Sequence, residues 1–387
     1  MTQGGLPKDA RRVADDSPLP VIVLTAFGLL ATLFGAFLRI APNRLLSGHA
    51  YSPHVWVLAA IWGIALAGAI VRWPGRRIVV GLLAWLAMTG LPLLAGIDAH
   101  AWLMRASAST RVQLGAGFWL AWLAAALLLL DRLRPARRVV QVVAWFAALV
   151  AIAIMAAAGA LDGLALVREY AAQRAPFADA LLTHVAIAVV TLAVALLIGA
   201  PLGGWAWRAK RGGGALVGLL TFLQTVPSLA LFALLIGPFA WLANAWPALG
   251  AIGFGGTGAA PAVFALVLYA LLPVVRYTVA GLDAVAPEAL EAAHGLGMSR
   301  WQVLARVQLP LGWPVLLAGL RIVAVQTIGL AAVAALIGAG GLGRFVFLGI
   351  GQGATDMVLL GTLAIIGLAL AVDFLFQGLL ALTETPA

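Results

Sequence analysis

Cysteine is absent from all 387 residues. Disulfides, thiolate nucleophiles and cysteine-ligated metals are therefore excluded, although the compartment stays open. Charge is also scarce: 10% of residues are charged, and 14 acidic residues face 24 basic ones for a net charge of +10. Lysine occurs only at Lys8, after Pro7, and at Lys210, after Ala209. A phosphate-binding loop needs Gly-Lys followed by Ser or Thr, so this chain cannot cradle ATP in that way. Its histidines, His49, His54, His100, His184 and His294, are scattered without the spacing of metal ligands. No catalytic residue, no metal site and no cofactor is expected in this chain. What is present is apolar surface, with 64% hydrophobic residues and a mean hydropathy of +1.06. These values exclude a soluble globular domain. Apolar runs of about 18 residues or more recur, each long enough to cross a bilayer as a helix. A membrane barrel would show short alternating segments instead. The expected class is an all-α polytopic membrane protein.

About ten transmembrane helices are predicted, at 21–38, 55–71, 78–97, 113–130, 139–161, 179–206, 215–241, 261–281, 312–337 and 357–381. The first follows Lys8, Arg11 and Arg12 but exceeds the usual signal-peptide core, so it reads as an uncleaved span. Basic residues gather in alternate connections: Arg72, Arg76 and Arg77; Arg132, Arg134, Arg137 and Arg138; Arg208, Lys210 and Arg211; Arg276, Arg300 and Arg306. The other side holds Arg39, Arg44, Arg105, Arg111, Arg168, Arg174 and Arg344. Such clusters fit positive-inside topology better than a nucleic-acid surface, and both termini are expected to be cytoplasmic. The tryptophans cluster mostly near span ends, as interfacial anchors do, and some could offer a cation–π surface. Three regions follow: a five-helix N-terminal membrane region of unknown role over 1–161, an external amphipathic linker over 162–178, and a second membrane domain over 179–387.

One connection differs from the rest. Residues 291–310, EAAHGLGMSRWQVLARVQLP, are mixed in charge and rich in helix formers. Two short helices are predicted around a break at Gly295–Gly297, where glycine permits the positive φ of a tight turn. Ser299 is placed to cap the second helix, Trp301, Leu304 and Val307 share a face at helical spacing, and Pro310 should stop that helix. Further on, Gly338 to Gly343 matches G-x-G-x-x-G. A dinucleotide site would need a preceding strand, whereas here the preceding element is a membrane span and the predicted side is external, so it reads as a flexible external turn. Pro201, Pro227 and Pro273 should kink their spans.

Glu291, Ala292, Ala293 and Gly297, followed by Val307, Leu309 and Pro310, resemble the coupling loop of ABC importer permeases, with Val307 the one departure from the pattern. TVPSLALFALL (225–235), LVLYALLPVVRYTVAGL (266–282) and AALIGAGGLG (334–343) narrow the resemblance to permeases of osmoprotectant importers, in a longer subclass with an extra N-terminal membrane half. The resemblance implies a type I permease core over 179–387, with a cytoplasmic coupling loop at 283–311. It also implies uptake of a quaternary-ammonium osmoprotectant such as glycine betaine or choline in a bacterial inner membrane. ATP would be bound by a partner ABC ATPase, beside a second permease, similar or identical, and a periplasmic binding protein. Glu291, Ala292, Ala293, Gly297, Leu309 and Pro310 would then couple to the ATPase. The chain itself would be a transport subunit within membrane lipid, and not an enzyme. An amino-acid importer permease and an ion-coupled secondary transporter are the alternatives. The latter predicts several acidic residues at mid-membrane, and only Asp373 clearly lies inside a span. Arg321 lies about 14 Å deep in the ninth span and Asp373 about 12 Å deep in the tenth. Charges at such depth seek partners, so the two are expected to pair or to share a cluster with Gln326 or Gln377.

Overall fold

The computed structural model describes residues 19–383 apart from 44–45, 47, 72–74, 108, 210–211 and 252. Lys8, Arg11, Arg12, Arg44, Arg72, Lys210 and Arg211, which enter the topology argument, lie outside the described residues. The chain divides into two compact units, 1–172 and 173–387.

In the first unit the helices are α1 (Leu19–Phe34), α2 (Val55–Ile70), α3 (Arg76–Leu103), α4 (Ala116–Leu133), α5 (Arg138–Ala157) and α6 (Ala165–Ala172). Glycines let α1 approach its neighbours. A Cβ on Gly28 would lie 2.6 Å from the Trp62 ring of α2, and one on Gly35 would lie 2.5 Å from the Gly117 backbone of α4. Indoles buried among apolar side chains need acceptors. Trp122 Nε1 donates to the Met88 carbonyl at 2.9 Å, and Trp85 Nε1 to the Ala144 carbonyl at 3.0 Å. The connections at one end form a small antiparallel sheet of β1 (Leu38–Ala41), β2 (His49–Tyr51) and β3 (Arg111–Leu114), in the order β2-β1-β3. Leu38 faces Tyr51 on one side and Leu114 on the other. Helix α6 is tied to this sheet by Arg111, whose guanidinium lies 3.3 Å from buried Glu169.

The second unit begins with α7 (Arg174–Arg208), followed by α8 (Gly212–Thr225), α9 (Ser228–Ala245), α10 (Pro247–Ala251) and α11 (Ala259–Asp283). Next come α12 (Pro287–Gly295), α13 (Arg300–Val303), a π-turn over Leu304–Gln308 and α14 (Leu309–Ala331). A 3₁₀ turn (Val333–Ile337), α15 (Gly343–Gly351) and α16 (Thr355–Thr383) complete it. Helix α11 forms the hub, burying Leu266, Tyr269, Leu272 and Val275 against α7, α8 and α14. Among the described residues eight helices are long and apolar enough to cross a membrane, and α1, α2 and α8 are shorter apolar ones.

The structure corrects one predicted span. The run 215–241 is not one helix but α8 and α9, broken at Val226–Pro227. Proline has no N–H, and it pushes the residue before it out of the helical region. The groups freed inside an apolar medium must find other partners. Here Tyr269 Oη donates to the Val226 carbonyl at the break, while Gln224 Nε2 donates at 2.7 Å to the Tyr269 carbonyl, which Pro273 leaves without its helical N–H partner. Pro201 and Pro273, by contrast, sit inside the continuous helices α7 and α11. The G-x-G-x-x-G stretch forms the turn between the 3₁₀ segment and α15, with positive φ at Gly338, Gly340 and Gly341.

Candidate functional site

The connection between α11 and α14 is a compact helical hairpin, and each of its corners is made by a specific residue. Pro287 occupies the first turn of α12, where its missing N–H costs nothing, and Glu288 stands beside it to favour the helix dipole. At the other end the Gly297 N–H bonds to the His294 carbonyl at 2.9 Å and the Met298 N–H to the Ala293 carbonyl at 3.2 Å. With φ of +76° at Gly297, this is a Schellman closure, and its left-handed corner favours glycine. Ser299 then opens α13 through a capping box. Its Oγ accepts from the Gln302 N–H at 3.4 Å, and Gln302 Oε1 accepts from the Ser299 N–H at 2.7 Å. The stop and the restart are adjacent, so the direction of the second arm is set by hydrogen bonds rather than by a slack loop.

The predicted site residues divide between the faces of this hairpin. Ala293 is buried, whereas Glu291, Ala292, Gly297, Leu309 and Pro310 are exposed. Two large apolar side chains at the tip stand nearly free, Leu296 at 79% exposure and Trp301 at 75%. Trp301 was placed on its face by spacing, whereas Leu296 was not singled out, since exposure at a helix stop leaves no periodic signal.

Pro310 does not stop the second arm, contrary to the sequence expectation. The helix runs on from Arg300 to Ala331, and Pro310 lies in the first turn of α14 directly after the π-turn. A wider i→i+5 turn relieves the clash that a proline ring makes with the carbonyl four residues back. The hairpin therefore has a continuous arm into the membrane segment.

Its stem is tightly held. A Cβ on Gly312 would lie 2.2 Å from the Gly281 carbonyl oxygen, so α11 and α14 touch backbone to backbone where they leave the hairpin. Higher up, Gly319 lies under the Tyr277 ring. At the base, Trp207 Nε1 donates to Asp283 Oδ1 at 2.7 Å, tying the end of α7 to the end of α11.

Above the stem, Arg321 and Asp373 meet side by side: Nη2 lies 2.8 Å from Oδ2, and Nε donates to Oδ1. Gln377 Nε2 adds a bond to Oδ2 at 2.7 Å. The two-pronged geometry is the strong form of the arginine–carboxylate pair, and it links α14 to α16. The side chains are 31% and 25% exposed. At the other end of α14 the Ile328 carbonyl lies 3.1 Å from Nε2 of buried His184, and Gly341 closes over the same imidazole.

Both units of the chain are similar to known proteins. Residues 195–381 match the family described as "Binding-protein-dependent transport system inner membrane component", and residues 17–167 match "ABC transporter permease YehY, N-terminal domain". The osmoprotectant import permease protein OsmW of Salmonella typhimurium is 39% identical over 196 residues, 51% of this chain and 86% of that protein. The glycine betaine/carnitine/choline transport system permease protein OpuCB of Bacillus subtilis is 33% identical over 52% of this chain and 83% of its own length. Among solved structures, an inward-facing MetNI methionine ABC transporter is similar, with 21% identity and a TM-score of 0.47 over 55% of this chain and 98% of that one. The chain belongs to the binding-protein-dependent transport system inner membrane components. It is a multi-pass transmembrane permease subunit of an ABC importer.

Proposed function

We propose that this permease takes up a quaternary-ammonium osmoprotectant, glycine betaine or choline being the simplest members of the class. The observation that carries the reading is the identity of 33–39% with permeases named for osmoprotectants, glycine betaine, carnitine and choline, over most of their lengths. The hairpin 283–311 serves as the contact for a separate ABC ATPase, which binds and hydrolyses ATP; this chain holds no cofactor and performs no catalysis itself. Leu296 and Trp301 enter a groove of that ATPase, and Glu291, Ala292, Ala293, Gly297, Leu309 and Pro310 shape the knob that carries them. The Gly281–Gly312 stem passes the ATPase movement into α11 and α14, because two backbones in contact cannot slide independently. A periplasmic binding protein delivers the solute at the other face, a second permease completes the pathway, and both termini lie in the cytoplasm of a bacterial inner-membrane protein.

The test is reconstitution of the permease with its ATPase and binding protein in vesicles. Uptake of labelled glycine betaine or choline should require ATP and continue in the presence of an ionophore. A cognate binding protein that ignores quaternary ammonium compounds and retains an ordinary amino acid would overturn the solute assignment. Uptake abolished by the ionophore would overturn ATP coupling.

A further inference from the structure

The first unit has a polar feature at its sheet end that the transport reading leaves unused. Asp98 lies near the end of α3 and is only 7% exposed. Its Oδ1 is 3.0 Å from Nε2 of His54, the residue that precedes α2. Its Oδ2 is buried and has no hydrogen-bond partner. One turn further along the same helix face stands Trp102. The Tyr51 ring meets Trp102 edge to face, with centroids 5.4 Å apart at 90°, and the His49 ring lies 6.1 Å away at 66°. Tyr51 and Trp102 are half-buried and His49 is exposed. Arg111, on the neighbouring strand, is engaged by Glu169. The basic residues Arg76, Arg77, Arg132, Arg134, Arg137 and Arg138 lie at the opposite ends of these helices, which puts the cluster on the external side.

A buried carboxylate oxygen without a partner is costly, and its negative field is poorly screened so near an apolar core. Because Asp98 Oδ2 is buried, it acts on a ligand through its field rather than as an exposed acceptor. A quaternary ammonium needs no acceptor, only a negative field and aromatic faces. We infer that Asp98, Trp102 and Tyr51, with His54 holding the carboxylate in place, form an external binding site for a quaternary ammonium group on the N-terminal unit. This inference does not rest on the transport reading.

The probe is radiolabelled tetramethylammonium, added to the full-length chain in uncharged maltoside micelles, which carry no ammonium headgroup, with excess sodium chloride. The wild type should bind it saturably. Asp98→Asn and Trp102→Leu should each raise Kd by about tenfold or more, and Trp102→Phe by about threefold. Monodisperse elution identifies folded variants, and where Trp102→Leu fails that check the aromatic contribution is read from Trp102→Phe. Absence of saturable binding to the wild type overturns the site. A Kd raised by Asp98→Asn but unchanged by both tryptophan variants also overturns it, since a plain cation site would behave that way. Normal osmoprotectant uptake by the complete complex together with no tetramethylammonium binding would remove this site while leaving the proposed function standing.

Discussion

At the scale of single residues, the two sharpest constraints are a backbone angle and a hydroxyl. Gly297 has open space around it but a φ of +76°, so any substitution acts through strain and not through collision. Gly297→Val should cost about 1–3 kcal/mol locally and reduce ATPase co-purification and ATP-driven uptake. Gly297→Asn should restore much of both, because asparagine tolerates the left-handed region. Equal losses in the two variants would show that side-chain bulk, and not φ, is what matters. Tyr269 is the second case. Its hydroxyl satisfies the Val226 carbonyl at the α8–α9 break, and Tyr269→Phe leaves that carbonyl without its partner. A loss of about 1–3 kcal/mol is expected, readable as a lower melting temperature in detergent, with Leu266→Val as a packing control nearby.

At the scale of elements, the α11–α14 stem and the α14–α16 pair hold the second unit together by different means. The stem depends on two glycines in contact, so Gly312→Leu must separate the helices and should depress uptake even where membrane insertion is normal. The pair depends on complementary charge. Removing either Arg321 or Asp373 strands the other inside the membrane segment, whereas Arg321→Leu with Asp373→Leu removes both. The double variant should recover stability relative to the sum of the singles, with a coupling of about 0.5–3 kcal/mol; additive losses of folded protein would refute the coupling. Much at this scale could be read from sequence. The apolar runs locate the helices, Ser299 marks a helix start, and depth along two helices matches Arg321 to Asp373. Pro227 marked a kink, but the full break at Val226–Pro227 was not legible, because both sides are equally apolar and Tyr269, which satisfies the Val226 carbonyl, reaches it only in the fold. The π-turn left no signal either, since five residues are too few to distinguish one helical period from another. The sheet of the first unit was missed for a similar reason: strands of three or four residues between membrane helices carry no readable alternation.

At the scale of the whole molecule, charge asymmetry supplies the testable statement. Reporter fusions after residues 134 and 305 should both report cytoplasm, and one after residue 107 should report the outside. An inverted signal at any of the three would reverse the orientation on which both the coupling hairpin and the external ammonium site depend. The division at 172/173 also gives the two halves separable chemistry. Substitutions at Asp98 or Trp102 should leave ATPase binding at the hairpin unaffected, and Gly297 variants should leave tetramethylammonium binding unaffected.

The π-turn over Leu304–Gln308 acts as a phase setting. The rod from Arg300 to Ala331 has one end bearing Trp301 and the other bearing Arg321. Each residue of an α-helix turns the chain by about 100°, but a wide i→i+5 turn takes up one extra residue within a single turn, so the tip keeps the facing of a plain helix one residue shorter. Deleting Ala305 would therefore leave Trp301 facing nearly as before, whereas deleting Ala318 from the regular helix between the wide turn and Arg321 would rotate the tip by about a quarter of a turn relative to Arg321 without altering a single docking side chain. A permease so altered would carry every residue of its coupling surface, aimed in the wrong direction.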